Sequence, residues 1–378
     1  MEIKEFGVEQ WMNDYEDDAQ FNLGETCVSP LSLHDLLMVT HVDEPKFMHE
    51  LLHKRLTYGD IFGNVELKQN IARLYQTALK PDQIVTTHGA IGANNLVLNS
   101  LVAPDDEVVV VAPTYQQMQS IPEALGATVK LLQLTAEHNY LPDINELRQL
   151  VSSKTKLIIL NNPNNPSGAL MSEEVLRDIV AVAQKVDAYV MCDEVYRHLT
   201  QDDQYSPSIV DLYERGIATS SMSKVFSLAG LRLGWIVTRD AEVMATIHSH
   251  RDYDTISSGV LNEMIANVAL SHAEIIIERN RKIIRQNLVV LEEWVKTQPH
   301  ISWVKPAAGT TALLHYDFTT NSEPFCDQLY QQKGVLLVPG AEFDIEHAVR
   351  IGYAFETAQL RNGLAEVAAF ISENQASL

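Results

Sequence analysis

The chain contains 378 residues with 50 acidic and 28 basic side chains, which gives a formal net charge of −22. This excess of negative charge argues against nucleic acid or an anionic membrane as the main partner, because polyanions attract basic surfaces. Hydrophobic residues make up 46% of the sequence, which excludes a disordered chain and allows a large buried core.

The N-terminal segment, which begins Met1-Glu2-Ile3-Lys4, has neither the basic nor the apolar stretch of a signal peptide. No run reaches the ~18 consecutive apolar residues that a membrane-spanning helix needs. Cys27, Cys192 and Cys326 are far apart in the sequence, so they predict neither a disulfide framework nor a zinc-binding motif. We therefore expect a cytoplasmic protein.

The first motif along the chain is His49-Glu50-Leu51-Leu52-His53, which fits the H-E-x-x-H pattern of zinc peptidases. Two histidines four residues apart can share a helix face and bind zinc. However, the sequence has no third ligand downstream at the usual spacing, and the flanking residues indicate an ordinary polar helix. We therefore predict no metal site.

Seven short apolar runs, each ending in polar residues, glycine or proline, occupy the middle of the chain. Runs of this length that are apolar on both faces predict buried strands of a mostly parallel sheet. Helical patterns between them, at 92–101 and 172–186, give the alternation of an α/β doubly wound domain. The predicted strands span residues 83–87, 107–112, 127–132, 156–160, 188–192, 216–220 and 234–238.

The pattern changes in the last third of the chain. Apolar residues recur at helical spacing between Ile277 and Val295, which predicts a long amphipathic helix. We predict that residues 46–275 form a large domain and that 1–45 and 276–378 form a smaller α+β domain. The strand-like segments of the smaller domain are 303–304, 312–316, 335–338 and 348–352.

Two motifs follow predicted strands at the sheet edge where α/β proteins bind ligands. In residues 87–93, glycines separate a strand from a helix start, which is a geometry suited to an anion. In residues 161–168, the sequence NNPNNPSG imposes a rigid turn through its two prolines and its glycine. Either motif could instead be an ordinary structural turn.

The strongest signal is Ser221-Met222-Ser223-Lys224 with Arg232 close behind it. Lys224 follows a predicted buried strand, where desolvation can lower the pKa of an amine and make it a nucleophile for a Schiff base. The hydroxyls of Ser221 and Ser223 and the guanidinium of Arg232 would suit a phosphate. The alternative is an ordinary surface lysine in a loop.

Asp193 ends another apolar run, and a carboxylate is costly to bury there without a partner. A protonated pyridine nitrogen would be such a partner, and Tyr196 could donate a hydrogen bond to a phenolate oxygen. A strand-end aspartate that caps the next turn is the alternative.

Four motifs, taken together in their order along the chain, make it resemble the fold-type I pyridoxal-phosphate enzymes, specifically the class I and II aminotransferases. Weaker similarities at 58–68, 112–115 and 349–352 extend the resemblance over nearly the whole chain. It implies a large domain with a mostly parallel seven-stranded sheet flanked by helices, a smaller α+β domain, and pyridoxal 5'-phosphate as cofactor. The motifs are NNPNNPSG (161–168), DEVY (193–196), SMSK (221–224) and GLRLG (230–234).

The resemblance also implies residue roles. Lys224 would hold the cofactor as an aldimine and act as general base, Asp193 would pair with the pyridine nitrogen, and Tyr58 would reach the phosphate of the neighbouring subunit of a homodimer. Arg350 would bind the substrate carboxylate, with Gly24 and Asn165 also contacting the substrate. The other cofactor contacts would be Tyr196 and Asn165 at the ring oxygen, Tyr115 on the ring, and Ser221, Ser223, Arg232, Gly89, Ala90 and Ile91 at the phosphate.

The sequence departs from the family pattern near the substrate. Thr310 and Thr311 stand where relatives often carry aromatic residues, which argues against an aromatic substrate and for a more polar pocket. No second arginine can be placed for a side-chain carboxylate, and Ile91 stands where many relatives offer the phosphate a hydroxyl.

Several functions remain open. An aminotransferase acting on an α-amino acid and a 2-oxo acid shares these motifs with lyases that perform β/γ-elimination and with capreomycidine-synthase-like cyclases. A ligand-sensing module of a transcription regulator is disfavoured, because residues 1–45 are too few and too acidic for a DNA-binding domain. A dinucleotide dehydrogenase is disfavoured because no G-x-G-x-x-G follows a strand.

Overall fold

The computed structural model describes residues 2–203, 206–375 and 378, and these residues form fourteen α-helices and thirteen strands. The helices are α1 (Gly7–Tyr15), α2 (Leu33–Val39), α3 (Glu44–Leu52), α4 (Val65–Ala72), α5 (Gly89–Leu101), α6 (Gln117–Ala124), α7 (Ile144–Leu150), α8 (Glu173–Val186), α9 (Ile209–Leu212), α10 (Ala241–Arg251), α11 (Val260–Ser271), α12 (Ala273–Lys296), α13 (Ser322–Lys333) and α14 (Thr357–Asn374). The strands are β1 (Phe21–Asn22), β2 (Ile84–Thr87), β3 (Glu107–Ala112), β4 (Thr128–Gln133), β5 (Thr155–Asn161), β6 (Tyr189–Asp193), β7 (Gly216–Ser221), β8 (Gly234–Thr238), β9 (Ile301–Trp303), β10 (Thr311–Tyr316), β11 (Val335–Leu336), β12 (Val338–Pro339) and β13 (Ala348–Gly352).

The main sheet has seven strands in the order β2-β8-β7-β6-β5-β3-β4. Only β8 runs antiparallel to its neighbours β2 and β7, so the sheet is mostly parallel. Both faces are buried: in β3, Val108 and Val110 face one core, and Val109 and Val111 face the other. This explains why the runs are apolar throughout. The predicted fold class is confirmed, and each predicted strand end agrees within one residue.

The helices that flank this sheet begin as the sequence indicates. Ser172 caps α8 by accepting a hydrogen bond from the backbone N–H of Val175, and the acidic first turn suits the positive helix end. Helix α5 begins at Gly89, three residues earlier than predicted. No single helix in the described ranges has the length and apolar composition of a membrane span; α11 and α12 reach them only together, across a bend of 77°.

The last third of the chain forms an antiparallel sheet in the order β12-β13-β10-β9, packed with α13, while α12 and α14 contact each other. The single strand predicted at 335–338 is two strands. β11 pairs with β1, and β12 pairs with β13, because the chain changes sheets at Leu337. Proline at 339 is tolerated because β12 is an edge strand. The predicted domain boundaries remain predictions, and the one at 275/276 falls within α12.

Candidate active site

A cavity of about 340 Å³ opens at the carboxyl edge of the main sheet. Asn161, Asp193 and Ser221 are the last residues of β5, β6 and β7, and all three line it. Since these strands are parallel neighbours, their ends meet at one edge, where open α/β sheets bind ligands. The topology therefore brings together residues that are up to 60 positions apart in sequence.

The structure brings most of the predicted site residues to this cavity. Gly89 lies beside it at the start of α5, and Tyr58 lies elsewhere, with 72% of its surface exposed. The predicted site residues that line the cavity are Gly24, Ala90, Ile91, Tyr115, Asn165, Asp193, Tyr196, Ser221, Ser223, Lys224, Arg232 and Arg350.

Asp193 is a buried carboxylate that is held by two donors. Asn94 Nδ2 donates to its Oδ2 over 2.9 Å, and the backbone N–H of Val195 donates to its Oδ1 over 3.0 Å. Thr219 in turn donates to Asn94 Oδ1 over 2.6 Å, which fixes the orientation of the amide. Burial raises the pKa of Asp193, although these hydrogen bonds and Lys224 oppose the rise. The carboxylate is thus oriented and would gain from a cationic partner.

Lys224 lies opposite the N-terminal segment of the chain. Its Nζ is 2.5 Å from Thr26 Oγ1 and 3.2 Å from Cys27 Sγ. Burial acts to lower the pKa of Lys224, but Cys27, Tyr196 and Glu25 outweigh it, and the pKa is raised above its ordinary value. Burial raises the pKa of Cys27, against the opposing charge of Lys224. The expectation of a lowered lysine pKa is therefore wrong for this arrangement.

The start of α5 forms an anion-binding cradle with Arg232. His88 gives the helix no side-chain cap, so the N–H groups of the first turn remain available. Gly89 has φ +67°, and a Cβ there would lie 3.0 Å from Arg232 Nη2, so glycine allows the guanidinium to approach the helix end. Ser221 Oγ, which accepts from the N–H of Ser223 over 3.2 Å, lines the same cavity. Together these groups suit a phosphate.

Arg350 enters the cavity from β13 and is 3% exposed. Its Nη2 donates to the carbonyl of Gly24 over 3.0 Å, and its Nη1 donates to Asn165 Oδ1 over 3.3 Å. Burial lowers its pKa, and its Nε has no hydrogen-bond partner among the described residues. A buried guanidinium with an unused N–H would bind an anion such as a carboxylate.

We call the residues of the first 27 that line the cavity the N-terminal wall: Val8, Glu9, Met12, Glu16, Gly24, Glu25, Thr26 and Cys27. Sequence reasoning found only Gly24 among them, because no motif marks the rest. Tyr115 donates to Glu9 Oε1 over 2.6 Å, and its pKa is raised by burial and by Glu9. Asn94 was also missed; it lies two residues beyond Gly92, and the neighbouring Asn95 gives the sequence no signal that separates the two amides.

The H-E-x-x-H motif lies away from the cavity. Helix α3 ends at Leu52, and His53 caps its carboxyl end, with Nδ1 2.8 Å from the carbonyl oxygen of His49. The two imidazole rings lie against each other, with centroids 4.1 Å apart. In the described part of the chain, no group of three or more His, Cys, Asp or Glu residues is arranged to hold a metal ion.

Comparison with known proteins gives consistent results. The family model described as "Aminotransferase class I and II" matches residues 30–367. The crystal structure of a PLP-dependent aminotransferase from Streptococcus suis superimposes with a TM-score of 0.96 at 40% identity, covering 99% of each chain. Capreomycidine synthase of Streptomyces vinaceus is 31% identical over 82% of this chain and 79% of its own length. An aspartate aminotransferase of Thermotoga maritima is 29% identical over 83% of both chains.

Proposed function

Since the chain belongs to the class I and II aminotransferases, a family of pyridoxal-phosphate enzymes, we propose that it transfers an amino group from an α-amino acid to a 2-oxo acid. One observation carries the proposal: Lys224, Asp193, the anion cradle and the unsatisfied Arg350 surround a single cavity.

The residues present fit pyridoxal 5'-phosphate at both of its ends. At one end, the cradle that glycine at 89 leaves for Arg232 would hold the phosphate, with Ser221 and Ser223. At the other end, the buried Asp193 would pair with the ring nitrogen. Between them, Lys224 would carry the cofactor. Tyr196 and Asn165 would contact the ring oxygen, Tyr115 the ring face, and Ala90 and Ile91 the phosphate through their N–H groups.

When bound, the cofactor supplies an electron sink for the charge that develops at the substrate α-carbon. Asp193 would keep the ring nitrogen protonated, so that its positive charge stabilises the negative charge at the α-carbon, and Asn94 holds the carboxylate in the required orientation. Arg350 would bind the substrate α-carboxylate with its guanidinium and so orient the α-hydrogen. Lys224 Nζ takes the α-proton and later returns it, acting as general base and then as general acid.

The similarity to capreomycidine synthase supports a second candidate, a cyclase or lyase on the same scaffold. Such an enzyme would use the same lysine, aspartate and arginine but return the cofactor unchanged at the end of every turnover. The amino group would then leave as ammonia or stay on a rearranged product.

A half-reaction separates the candidates. The holoenzyme is mixed with single amino acids without any 2-oxo acid, and both the absorbance of the cofactor and the products are followed. We expect stoichiometric conversion to pyridoxamine phosphate with release of one 2-oxo acid. Ammonia or a rearranged amino acid, released in many turnovers with the cofactor spectrum restored, would instead establish the second candidate. The Lys224→Ala variant controls for uncatalysed transamination.

We further propose that the enzyme is a homodimer in which Tyr58 completes the neighbouring site. Tyr58 lies outside the cavity of its own chain and is surrounded in sequence by exposed apolar residues. Leu52 and Leu56 are each 76% exposed and Phe62 is 60% exposed, which is unusual for such large side chains. A partner subunit would cover this surface.

Hybrid dimers test the role of Tyr58. Tyr58→Ala and Lys224→Ala chains are each inactive or impaired alone; mixed, they would form one site with Lys224 from one chain and Tyr58 from the other. We expect the mixture to recover activity, up to one wild-type site per hybrid. No recovery in a mixture shown by tagged co-purification to contain hybrids would contradict the role across the interface.

We also propose a cytoplasmic location. The three cysteines are free thiols within the described residues, and a reducing compartment keeps thiols in that state. Fractionation of cells that express the tagged chain tests this proposal.

A further inference from the structure

Once the proposed function assigns partners to the charged residues that line the cavity, several negative charges are left without a partner. Lys224 and Arg232 are committed to the cofactor, Arg350 to the substrate α-carboxylate, and Asp193 to the ring nitrogen. The remaining charged residues are three glutamates of the N-terminal wall, Glu9, Glu16 and Glu25. The amino donor and its carboxylate need no such cluster of negative charge.

These glutamates retain unused acceptor capacity. Glu9 Oε1 accepts from Tyr115, but no described residue donates to its Oε2. Glu25 Oε1 accepts from the N–H groups of Thr26 and Cys27, each over 2.6 Å, which holds this carboxylate at the cavity. No described residue donates a hydrogen bond to Glu16, which lies one turn beyond Met12 on the same wall.

The three carboxylates are also close enough to repel one another. Glu16 is an exposed residue of the wall, and its pKa is raised, first by partial burial and then by Glu25, Asp17 and Glu9. The main cation acting on Glu25 is Lys224, whose charge holds the pKa of this carboxyl down against the effect of burial. Because the cofactor engages that lysine, a second cation is needed to stabilise the wall.

An independent observation shows that the same cavity is built for a ligand. Arg350 is nearly fully buried, and its Nε points to no described partner, so the cavity contains an unfilled anion site in addition to the glutamates. A ligand that satisfies both has a carboxylate at one end and a positive charge at the other.

We propose, on the basis of the proposed function, that the amino donor is an α-amino acid whose side chain ends in a cation, either an amine or a guanidine. Arg350 binds its α-carboxylate, and the carboxylates of Glu9, Glu16 and Glu25 bind its side chain. This assignment also accounts for the lack of any further arginine, beyond Arg232 and Arg350, among the described residues that line the cavity. Donors with a carboxylate side chain would face three like charges and be rejected.

The test compares donors of matched shape. L-Arginine and L-citrulline differ in charge but hardly in size; L-ornithine and L-lysine represent the amine; L-aspartate and L-glutamate reverse the charge. In holoenzyme half-reactions we expect a cationic donor to exceed citrulline in kcat/KM by at least ~10-fold and the acidic donors by more. Equal or better use of citrulline, aspartate or glutamate would overturn the proposal.

Variants of the glutamates test whether these residues cause the preference for a cationic donor. Glu16→Gln and Glu25→Gln should each reduce the preference for the cationic donor by about 10-fold, whereas Asp18→Asn removes the same charge from an exposed position outside the cavity and should leave it unchanged. Binding of α-methylornithine, which has no α-hydrogen to lose, is measured by calorimetry and should weaken in parallel. Unchanged preference and binding in the Glu16→Gln/Glu25→Gln double variant, with folding verified by circular dichroism, would overturn the proposal.

The two proposals fail separately. A cationic donor that is preferred but yields ammonia or a rearranged amino acid would reject transamination and retain the side-chain assignment. Conversion of bound cofactor to pyridoxamine phosphate by neutral or acidic donors in preference to cationic ones would retain transamination and reject the side-chain assignment.

Discussion

The cavity has two halves with different origins. Its sheet-edge half consists of residues at strand ends and at the start of α5, such as Asp193, Ser221 and Asn94, which a fully buried core fixes in place. The N-terminal wall comes from a nine-residue helix and the segment after it; Val8, Trp11 and Met12 of the helix pack into the core, and Trp11 Nε1 donates to the carbonyl of Leu337 and Tyr15 to Asp327. The difference suggests that the sheet edge provides the reaction and the wall chooses the substrate.

The largest expected effect tests the sheet-edge half. Lys224→Ala should lower kcat by at least about 10³-fold, because a general base and acid contributes ~10²–10⁴-fold and the cofactor also loses its attachment. Borohydride reduction followed by mass spectrometry of the Lys224 peptide should detect a cofactor adduct in the wild type only. Retained turnover in Lys224→Ala would contradict the proposal that the reaction takes place at the sheet edge.

A smaller loss should follow from Asp193→Asn. A neutral amide would not keep the ring nitrogen protonated, and we expect kcat to fall by about 10²–10³-fold, as for loss of one preorganised electrostatic group. Asn94→Ala, which removes only a donor to that carboxylate, should cost less than Asp193→Asn. An Asp193→Asn enzyme with normal kcat would show that the buried carboxylate has a structural role alone.

Arg350 joins the two halves, because it contacts Asn165 on one side and Gly24 on the other. Arg350→Ala should weaken donor binding by about 2–4 kcal/mol, as expected for loss of a buried charged partner. Arg350→Lys should recover part of this, since an ammonium keeps the charge but not the fork of donors. Apparent KM values for the donor give the measurement, and an unchanged KM in both variants would reject the role.

The smallest effect concerns the attachment of the wall. Trp11→Phe removes one buried hydrogen bond to Leu337 and should lower the free energy of unfolding by about 1 kcal/mol. If the wall selects the donor, KM for the donor should rise while the absorbance of the bound cofactor stays the same. A loss of cofactor binding equal to the loss of donor binding would show that the two halves are not separable.

The division of the cavity into a sheet edge and an N-terminal wall also explains which site residues could be predicted from the sequence. The seven strands of the main sheet agree within a residue because burial on both faces makes most of each run apolar, and Asn161, Asp193 and Ser221 follow from those ends. Glu9 and Glu16 were missed because they reach the cavity only through tertiary contacts of α1. The pKa of Lys224 was predicted in the wrong direction because Cys27, Tyr196 and Glu25, which raise it, approach the lysine only in the folded chain.

The split of the predicted strand at 335–338 has a similar cause. The residues of β11 and β12 are uniformly apolar, and nothing in their composition indicates that Leu337 separates two pairing partners. Which strand β1 pairs with is decided by the rest of the chain.

Helix α5 also fixes the spacing between two parts of the site. Its first residue, Gly89, lies against Arg232, and Asn94, five residues later, donates a hydrogen bond to Asp193. At ~1.5 Å of rise per residue, these two residues are separated by about 7.5 Å along the helix axis. Inserting a single residue between positions 89 and 94 would therefore rotate the amide of Asn94 away from Asp193 and change the spacing between the two contacts.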